Sequence, residues 1–414
     1  MELRIEQLDD EGLGVSGRYR VPYTLPGEIV RPIRTYRRRH FIYVPEFELV
    51  SLSPNRVAPK CQHYGICGGC RLQHMAYSDQ IHFKEEKLAR ILRFPISVLP
   101  SPRIFGHRNR IDVVITPNGI GFRQFGSWWR VFDLVDCPVF GSRASKAVTA
   151  LREFMSDNHL QPYDLKTHQG FLRYIVLREG KNTGEFMINL VTAKGTLPDP
   201  TPYFPADSIY HSVNSSLSDV SYGDPVRFWG KEYITERLGP VSYLIHPNSF
   251  FQTNTYQAEN LVRIVADYVG GNRILDLYSG VGTFSIYLAT RGFAVSGIEL
   301  NPFSVDLARK NAELNGVSDR ATFVVGKDSD VSDFRDYDTV ILDPPRAGLH
   351  PRLAQRLAEK GPEAIVYVSC NPKTYKRDLE VLSTAYRLEE IRGLDMFPHT
   401  PHVELVSLLR RKSQ

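Results

Sequence analysis

The 414-residue chain has no run of about 18 consecutive apolar residues, the length that crosses a membrane as a helix. Its first residues, Met1–Arg4, carry no apolar segment of the kind that a secretory signal requires. Internal repeats and low-complexity tracts are also lacking. We therefore expect a globular protein of two or three domains, located in the cytoplasm, and we do not expect a membrane protein or a secreted one.

Cysteine is scarce and odd in number, which argues against a disulfide framework. Three of the five cysteines fall in the pattern Cys61-x5-Cys67-Gly-Gly-Cys70, which is typical of metal or cluster ligation in a reducing compartment. With Cys137, four thiolates complete either a [4Fe-4S] cluster or a zinc site, and their spacing alone does not decide between the two. Cys137 precedes a proline, as in bacterial ferredoxin ligand runs, and this favours iron.

Net charge is also small, at +5, but it is unevenly distributed. Five arginines and no acidic residue lie between Arg31 and Arg39, with Tyr36 among them and Tyr43 close behind. Arginine pairs with phosphate and aromatic rings stack on bases, so this run favours nucleic-acid binding. The alternative is a solvated strand face, which is the commoner origin of a single basic run.

Three regions differ in their patterning. Residues 1–56 contain short strand-like runs separated by Gly and Pro, which predict a small β-barrel of the OB type. Residues 57–240 mix a predicted helix, Ser78–Leu92, with short strands and are interpreted as an α+β domain. From residue 241 to 414, strands and helices alternate, which predicts an α/β domain with a doubly wound, Rossmann-like parallel sheet.

A cofactor pocket is predicted where the first strand of that sheet ends. The segment Asp276–Phe284 is a glycine-rich turn in which Gly280 and Gly282 let a ligand approach the backbone. Glu299 ends the next strand, where a carboxylate can accept hydrogen bonds from ribose hydroxyls. Both NAD and S-adenosylmethionine fit this arrangement. Ser285 stands where a dinucleotide motif has its third glycine, which favours the methyl donor.

Two further strand ends carry reactive side chains. Asp343-Pro-Pro-Arg346 and Ser369-Cys-Asn-Pro372 each follow a buried strand, and their prolines stiffen the loops. A cysteine within a strand is usually a small hydrophobic residue, but Cys370 stands beyond the apolar run among polar neighbours. We therefore interpret Cys370 as a nucleophile.

A thiolate can attack an electron-poor carbon such as carbon 6 of uracil, which makes carbon 5 nucleophilic toward a sulfonium methyl group. The proton on carbon 5 must then leave, and this step needs a general base. The C-terminal segment offers three candidates, His399, His402 and Glu404, and spacing does not choose among them.

Taken together, these motifs resemble those of the RNA 5-methyluridine methyltransferase family, in its iron–sulfur branch. The resemblance covers essentially the whole chain and rests on five segments, namely Phe250-Phe-Gln-Thr-Asn254, Asp276–Phe284, Asp343-Pro-Pro-Arg346, Ser369-Cys-Asn-Pro372 and Phe397-Pro-His-Thr-Pro-His-Val-Glu404, together with the four cysteines Cys61, Cys67, Cys70 and Cys137. The N-terminal barrel is similar to the TRAM RNA-binding domain of the same family.

The resemblance implies a role for each matching residue. Cys370 is the nucleophile and Glu404 the base. The residues that contact S-adenosylmethionine are Gln252, Tyr278, Glu299 and Asp343, and those that hold a [4Fe-4S] cluster are Cys61, Cys67, Cys70 and Cys137. The match is closest to archaeal members that methylate uridine 54 in the tRNA T-loop, with a large-subunit rRNA uridine as the alternative. We expect a monomer.

Three other classes of protein compete with this interpretation. An amino-group methyltransferase often carries an aromatic after Asp-Pro-Pro, where this chain has Arg346, and it needs no Cys370. A non-catalytic RNA-binding iron–sulfur protein needs neither Cys370 nor Glu404. A radical enzyme usually shows Cys-x3-Cys-x2-Cys, whereas the first spacing here is x5.

Overall fold

The computed structural model describes residues 1–331 and 333–413. The chain begins with a six-stranded sheet, followed by a loop that carries three cysteines. The strands are β1 (Leu3–Arg4), β2 (Gln7–Leu8), β3 (Gly14–Ser16), β4 (Tyr19–Val21), β5 (Ile29–Arg37) and β6 (Ile42–Ser51), and their order in the sheet is β1-β5-β6-β4-β3-β2. A small core of five buried side chains stabilises this sheet, namely Leu3, Ile5, Val21, Val30 and Val44.

Helix α1 (Tyr77–Leu92) and the short strand β7 (Val98–Leu99) follow, and then a second sheet of seven strands. Its strands are β8 (Arg110–Thr116), β9 (Gly119–Arg123), β10 (Val131–Asp133), β11 (Leu172–Glu179), β12 (Phe186–Thr192), β13 (Ser208–Val213) and β14 (Asp224–Gly230), in the order β10-β9-β8-β11-β12-β13-β14. Helix α2 (Arg143–Asp157) packs its Ala147, Leu151 and Phe154 against this sheet. A two-stranded ribbon, β15 (Ile234–Leu238) and β16 (Val241–Ile245), leads to the last sheet.

The last sheet has eight strands and follows the predicted α/β alternation. Its order is β19-β18-β17-β20-β21-β23-β22-β7, with the elements α3 (Thr255–Tyr268), β17 (Arg273–Leu277), α4 (Thr283–Thr290), β18 (Ala294–Glu299), α5 (Pro302–Leu314), β19 (Ala321–Val325), β20 (Thr339–Leu342), α6 (Pro351–Lys360), β21 (Ala364–Ser369), α7 (Pro372–Leu382), β22 (Tyr386–Leu394) and β23 (Glu404–Arg411). Strands β17 to β21 pair in parallel, and β23 is antiparallel to both β21 and β22. The prediction of a doubly wound sheet is confirmed.

Local chemistry explains where the helices of this sheet begin. Asn254, Asn301 and Asn371 each precede a helix and accept a backbone N–H with their side chain, which satisfies a donor that the helix leaves free. Proline stands at the first position of α5, α6 and α7, where its missing N–H costs nothing. Only two residues therefore separate α5 from the end of β18 and α7 from the end of β21.

The packing does not follow the expected division of the chain at every point. Helix α1 and strand β7 lie within residues 57–240, yet Leu88, Leu92 and Val98 share a buried cluster with the last sheet. The ribbon β15–β16 spans residue 240 and packs on the other face of that sheet. The boundaries at 56/57 and 240/241 stay a prediction. Within the described residues, we find no helix whose length and apolar character would let it cross a membrane.

Candidate active site and cysteine cavity

The carboxyl ends of the parallel strands bring the predicted reactive groups together. Asp343 directly follows β20 and Cys370 directly follows β21, which is its parallel neighbour. Ser369 pairs with Leu405 across β21 and β23, so the next positions along the two strands place Cys370 opposite Glu404. Glu404 is also fixed from the other side, by its pairing with Leu394. The predicted nucleophile and a candidate base thus lie opposite each other at one edge of the sheet.

The glycine-rich turn after β17 has the backbone that a bound ligand requires. Gly280 has a φ of 54°, and a Cβ built there would meet nothing within 4 Å, so the space beside it is open. At Gly282, with a φ of 83°, a Cβ would approach Ile286 Cδ1 to 2.8 Å, so this glycine serves packing instead. The Gly280 N–H donates to Glu299 Oε2 over 3.1 Å, and this bond holds the turn against the end of β18.

Asp276 gives the turn an unsatisfied acceptor. Its carboxyl is fully buried, and Oδ2 accepts a bond from Ser285 Oγ over 2.5 Å, while Oδ1 has no partner. The buried Ser279 Oγ also has none. Burial raises the pKa of Asp276 to about 7, Ser285 partly opposes this, and the carboxylate of Glu299 adds to it. Buried polar atoms are rarely left unpaired, so these two indicate a place for a polar ligand.

The same electrostatic environment extends to the reacting groups. Burial raises the pKa of Asp343 to about 7, with a further contribution from Asp276. Burial, and then Asp343, raise the pKa of Glu404 well above its usual value. For Cys370, burial and the carboxylates of Glu404 and Asp343 raise the thiol pKa to about 11, and Arg346 opposes them. The pocket therefore gathers acids that a cationic ligand would ionise.

Arg346 and Cys370 lie on two loops that are tied to each other. Asn371 donates its side-chain amide to the Arg346 carbonyl over 3.1 Å and caps α7 with its Oδ1. Arg377 donates to the carbonyls of Ala347 and Leu349, each over 3.0 Å. The loop Asp343–Leu349 is thereby held beside Cys370.

The remaining two predicted cofactor residues occupy less regular backbone. Tyr278 has a φ of 65°, which is unusual for a residue with a side chain, and its hydroxyl donates to Asp328 Oδ2 over 2.9 Å. Gln252 is buried, and its carbonyl accepts a bond from the Asn109 amide over 2.8 Å. Asn109 immediately precedes β8 of the second sheet, so residues outside the last sheet orient the segment that carries Gln252.

Helix α1 holds the segment Asp395–Val403, which leads into Glu404. Lys84 is fully buried and donates to Asp395 Oδ1 over 2.5 Å and to the Phe397 carbonyl over 3.1 Å. Tyr77 donates to Asp395 Oδ2 over 2.8 Å, and Lys87 donates to the Pro401 carbonyl over 2.8 Å. Three side chains of α1 thus fix the loop that immediately precedes Glu404, the candidate base.

The two histidines of this loop occupy different environments. His399 has a φ of 65° and is buried, and its ring nitrogens lie 3.2 Å from Gln80 Nε2 and 3.0 Å from the Ile104 carbonyl. Burial lowers the pKa of His399 to about 4. Burial also lowers the pKa of His402 to about 4, helped by Arg71 and Arg346. Structural contacts occupy both ring nitrogens of His399. Of the three candidate bases, Glu404 is the one that the strand pairing places opposite Cys370.

The four remaining cysteines surround a second cavity, of about 730 Å³. Cys137 is buried, the others are half-buried, and all four thiols are free. Burial raises the pKa of Cys70 to about 11, and the neighbouring thiols of Cys67 and Cys61 add to this. Burial raises the pKa of Cys137 to about 12, and Cys70 is the next largest cause. Two loops far apart in sequence therefore bring four thiols into mutual electrostatic range.

Within residues 1–331 and 333–413, no group of three or more His, Cys, Asp or Glu side chains is arranged to hold a metal ion. Four thiolates around a single ion stand closer together than four thiolates around a four-iron cluster, which is a larger body. All four cysteines line this one cavity, and four cysteine thiolates are the usual ligands of an iron–sulfur cluster, as they also are of a structural zinc ion. The donor set therefore fits an iron–sulfur cluster.

Sequence reasoning missed several groups that bear on these sites. The free oxygen of Asp276 was invisible because only the fold shows which carboxylate atoms find partners. The buried Lys84 and Lys87 were missed because a charged helical residue normally faces solvent. Asn109 gave no signal either, since its contact with Gln252 spans 143 positions.

This sheet order, with its ligand turn after the first strand, defines the class of Rossmann-like S-adenosylmethionine-dependent methyltransferases. Residues 317–412 match the family described as tRNA (uracil-5-)-methyltransferase, and residues 1–55 match the TRAM domain of tRNA (uracil(54)-C(5))-methyltransferase. Residues 271–356 also match the RNA cap guanine-N2 methyltransferase family.

Full-length relatives agree. A tRNA (uracil(54)-C(5))-methyltransferase of Pyrococcus abyssi is 56% identical over 405 residues, covering 98% of this chain and 99% of the relative. A 23S rRNA (uracil(747)-C(5))-methyltransferase of Pyrococcus horikoshii is 40% identical over 420 residues, covering all of both chains. The crystal structure of the P. abyssi tRNA (uracil-54, C5)-methyltransferase with S-adenosyl-L-homocysteine superposes with a TM-score of 0.91 at 54% identity, covering 99% of this chain and all of that one. The chain belongs to the tRNA (uracil-5-)-methyltransferase family.

Proposed function

We propose that the protein transfers a methyl group from S-adenosylmethionine to carbon 5 of uridine 54 in the tRNA T-loop. The observation that carries this proposal is the placement of Cys370 opposite Glu404 on paired strands, beside a pocket with unpartnered acceptors. A uracil ring held between these two side chains would have the thiol beside carbon 6 and the proton acceptor beside carbon 5.

Cys370 begins the reaction by adding to the substrate. Its thiolate sulfur forms a bond to carbon 6 of uracil, and the electrons of the carbon 5–carbon 6 double bond move onto the ring and its carbon 4 oxygen. S-adenosylmethionine would supply the methyl group: carbon 5 of the adduct bonds to the methyl carbon as the bond from that carbon to the sulfonium sulfur breaks, and S-adenosylhomocysteine leaves. The thiol must ionise first. The positive charges of Arg346 and of the bound sulfonium would both favour the thiolate over the neutral thiol.

Glu404 completes the reaction. Its carboxylate takes the proton from carbon 5, the double bond forms again, and the bond between carbon 6 and Cys370 breaks with its electrons returning to sulfur. The pKa of Glu404 is raised in the ligand-free pocket, chiefly by burial. A raised pKa brings a carboxylate closer to the operating pH, where a general base transfers protons most effectively.

Four residues are proposed to bind the methyl donor, and each has a different relation to the pocket. Glu299 ends β18, and both of its oxygens keep spare lone pairs after accepting one backbone N–H each. Asp343 supplies negative charge close to Cys370 and Glu404. Tyr278 lies within the glycine-rich turn with its hydroxyl bonded to Asp328, and the buried Gln252 lies in the loop before α3.

Cys61, Cys67, Cys70 and Cys137 are proposed to hold a [4Fe-4S] cluster. The cluster would pin the cysteine loop to the loop before α2, so its role is structural and metal binding contributes to folding free energy. Methyl transfer from a sulfonium to a thiol-activated uracil needs no electrons, so no redox step is assigned to it. Zinc is the competing occupant, and metal analysis separates the two.

Substrate assignment rests on the relatives. The relatives named for tRNA uridine 54 are 53–56% identical, whereas those named for 23S rRNA uridine 747 are 40–42% identical, which favours tRNA. The N-terminal sheet, residues 1–56, is proposed to bind RNA, residues 57–240 to carry the cluster and residues 241–414 to carry the methyltransferase site. We further propose that the protein acts as a monomer in the cytoplasm, where its substrate is found.

The proposal is tested by incubating the enzyme with labelled methyl donor and unmodified tRNA and 23S rRNA transcripts. Mapping should find 5-methyluridine at position 54 of tRNA and none in the rRNA. Methylation of rRNA alone would transfer the assignment to the second substrate, and label on an exocyclic amine would overturn the uracil chemistry.

A further inference from the structure

Two adjacent tryptophans stand on the surface at the tip of the β9–β10 hairpin. Trp128 is 68% exposed and Trp129 is 44% exposed, although tryptophan normally buries most of its ring. The function proposed above uses neither. Large exposed aromatic residues at one spot usually mark an interaction surface.

The hairpin loop is held at its base before any partner arrives. The Phe125 N–H donates to the Ile66 carbonyl over 2.8 Å, which ties the base of the loop to the cysteine loop. The Phe125 ring packs edge-on against Tyr23 of the first sheet, with 5.6 Å between centroids. Across the turn itself, the Gln124 N–H donates to the Arg130 carbonyl over 2.9 Å. A platform that is already ordered loses little entropy on binding.

Positive charge surrounds the pair. The Arg130 guanidinium lies 4.8 Å and the Lys166 ammonium 5.4 Å from the centre of the Trp129 ring. Over the part of the chain that the structure describes, neither cation forms an ion pair with a carboxylate. Among the described residues, no cation lies over the Trp128 ring. One ring is thus available for stacking, beside two charges available for anions.

The base of the hairpin reaches the neighbourhood of the active-site loop. Gln124 and Phe125 line the same cavity as Phe397 and Thr400, which belong to the segment leading to Glu404. An RNA whose target base enters the active site therefore has this hairpin within the reach of its flanking nucleotides.

We propose that Trp128 stacks on an unpaired base of the substrate RNA outside the target uridine, while Arg130 and Lys166 contact the adjacent phosphates. This inference rests on the proposed RNA substrate and adds a surface that positions it. A free aromatic ring beside unpaired cations matches single-stranded nucleic acid, which offers both base faces and phosphates. An acidic protein partner would use the charges but leave a freely exposed indole without a matching planar group.

Fluorescence tests the stacking directly, because the chain contains only three tryptophans. The third, Trp229, packs against the core of the second sheet, and Trp229→Phe leaves the hairpin pair as the sole indoles. Titrating this variant with an unmodified tRNA transcript should quench its emission, since a stacked base quenches indole. The double variant Trp128→Phe/Trp229→Phe should lose most of that quenching. Emission that does not respond to tRNA while the RNA binds would overturn the proposal.

Affinity and salt dependence separate stacking from charge. Trp128→Ala should weaken tRNA binding about tenfold, within the range for removing one stacking aromatic, and should leave the salt slope unchanged. The double variant Arg130→Ala/Lys166→Ala should lower the slope of log affinity against log salt by up to ~2, because binding then releases about one counterion fewer for each phosphate contact that is lost. Trp229→Phe is the matched control and should bind tRNA as the unchanged chain does.

The outcomes also separate this inference from the proposed function. If the unchanged enzyme methylates tRNA but Trp128→Ala binds tRNA with unchanged affinity, the hairpin surface is wrong and the function stands. If the unchanged enzyme binds tRNA with the expected quenching yet forms no 5-methyluridine, the surface stands and the assigned chemistry is wrong.

Discussion

The methyl-transfer pocket and the cysteine cavity have the same electrostatic character but are built differently. Both gather buried groups that ionise to anions, three carboxyls in the first and four thiols in the second, and burial raises their pKa values in each. A cluster of this kind is complementary to a positive ligand, which removes the cost of ionising it. The sulfonium of S-adenosylmethionine is such a ligand for the first pocket, and the proposed iron–sulfur cluster would be one for the second.

The difference lies in what holds the groups. Asp276, Glu299 and Glu404 lie within strands of the last sheet, and Asp343 and Cys370 directly follow such strands, so hydrogen-bonded ladders fix them without any ligand. Cys61, Cys67 and Cys70 lie on a loop between β6 and α1, and Cys137 lies between β10 and α2. The comparison predicts that changes in the first pocket alter chemistry and leave stability intact, whereas changes in the second alter stability first.

The strongest test of the first half is Cys370→Ala. Methyl transfer should fall at least ~10³-fold because no other group adds to carbon 6, while the Tm, the iron content and the affinity for S-adenosylmethionine stay close to those of the unchanged chain. Labelled-methyl assays, calorimetry and metal analysis measure these quantities. A 5-fluorouridine tRNA should form a stable adduct with the unchanged enzyme and none with the variant. Turnover within tenfold of normal would exclude Cys370 as the nucleophile.

Glu404→Gln should act one step later. The amide cannot take the carbon 5 proton, so release of product should slow by about 10²- to 10³-fold while adduct formation continues. A methylated protein–RNA adduct should therefore accumulate on a denaturing gel. Glu390→Gln, on the exposed face of the neighbouring strand, is the control and should release product normally. Normal release by Glu404→Gln would move attention to His402.

How far the sequence predicts these two regions follows from how local their signals are. The apolar run Arg273–Leu277 predicts a strand with the bounds that the structure has, because a buried parallel strand is a short apolar run. Cys370 and Asp343 were recognised as reactive because they stand immediately after such runs. These signals lie within a few residues and need no tertiary information.

Other features depend on contacts that the sequence does not reveal. A nine-residue loop connects β22 to β23 and leads into Glu404. The conformation of this loop depends on the contact between Lys84 and Asp395, which are 311 positions apart in the sequence. The sequence predicts α1 as an amphipathic helix, and such a pattern assigns lysines to solvent. Only the fold shows that two of them are buried against carbonyls and a carboxylate. The sequence grouped Cys137 with the other three cysteines by residue type, and the fold adds that all four line one cavity.

The second half of the comparison is tested by Cys137→Ser. Removing one of four ligands should reduce bound iron below the ~4 atoms per chain expected for the unchanged protein, bleach its brown colour and lower the Tm by about 5–10 °C, because the metal links two loops. The affinity for S-adenosylmethionine should change little. Ser145→Ala, a change at a half-buried position on α2, is the control. Stoichiometric zinc in a colourless protein would exclude iron, and an unchanged Tm with the metal lost would exclude the structural role.

The smallest expected effect sharpens the electrostatic comparison itself. In the ligand-free pocket, Asp276 and Asp343 have pKa values of about 7, raised from 3.8 by burial. Their neutral forms therefore favour the folded state below about pH 4, and this contribution is lost as the pH rises through about 7. A bound sulfonium lowers both pKa values, so its binding releases protons and must tighten as the pH rises from about 5.5 to 7.5.

S-adenosylhomocysteine provides the comparison, because it lacks only the methyl group and the positive charge on sulfur. Calorimetry across this pH range should show the affinity for S-adenosylmethionine rising about three- to tenfold more than that for S-adenosylhomocysteine, with a correspondingly larger proton release. Asp276→Asn cannot ionise and should remove part of the difference, whereas Asp267→Asn, an exposed change on α3, should not. Parallel pH profiles for the two ligands would show that the buried carboxyls do not sense the sulfonium charge, and the pocket would then be matched to the shape of its ligand and not to its charge.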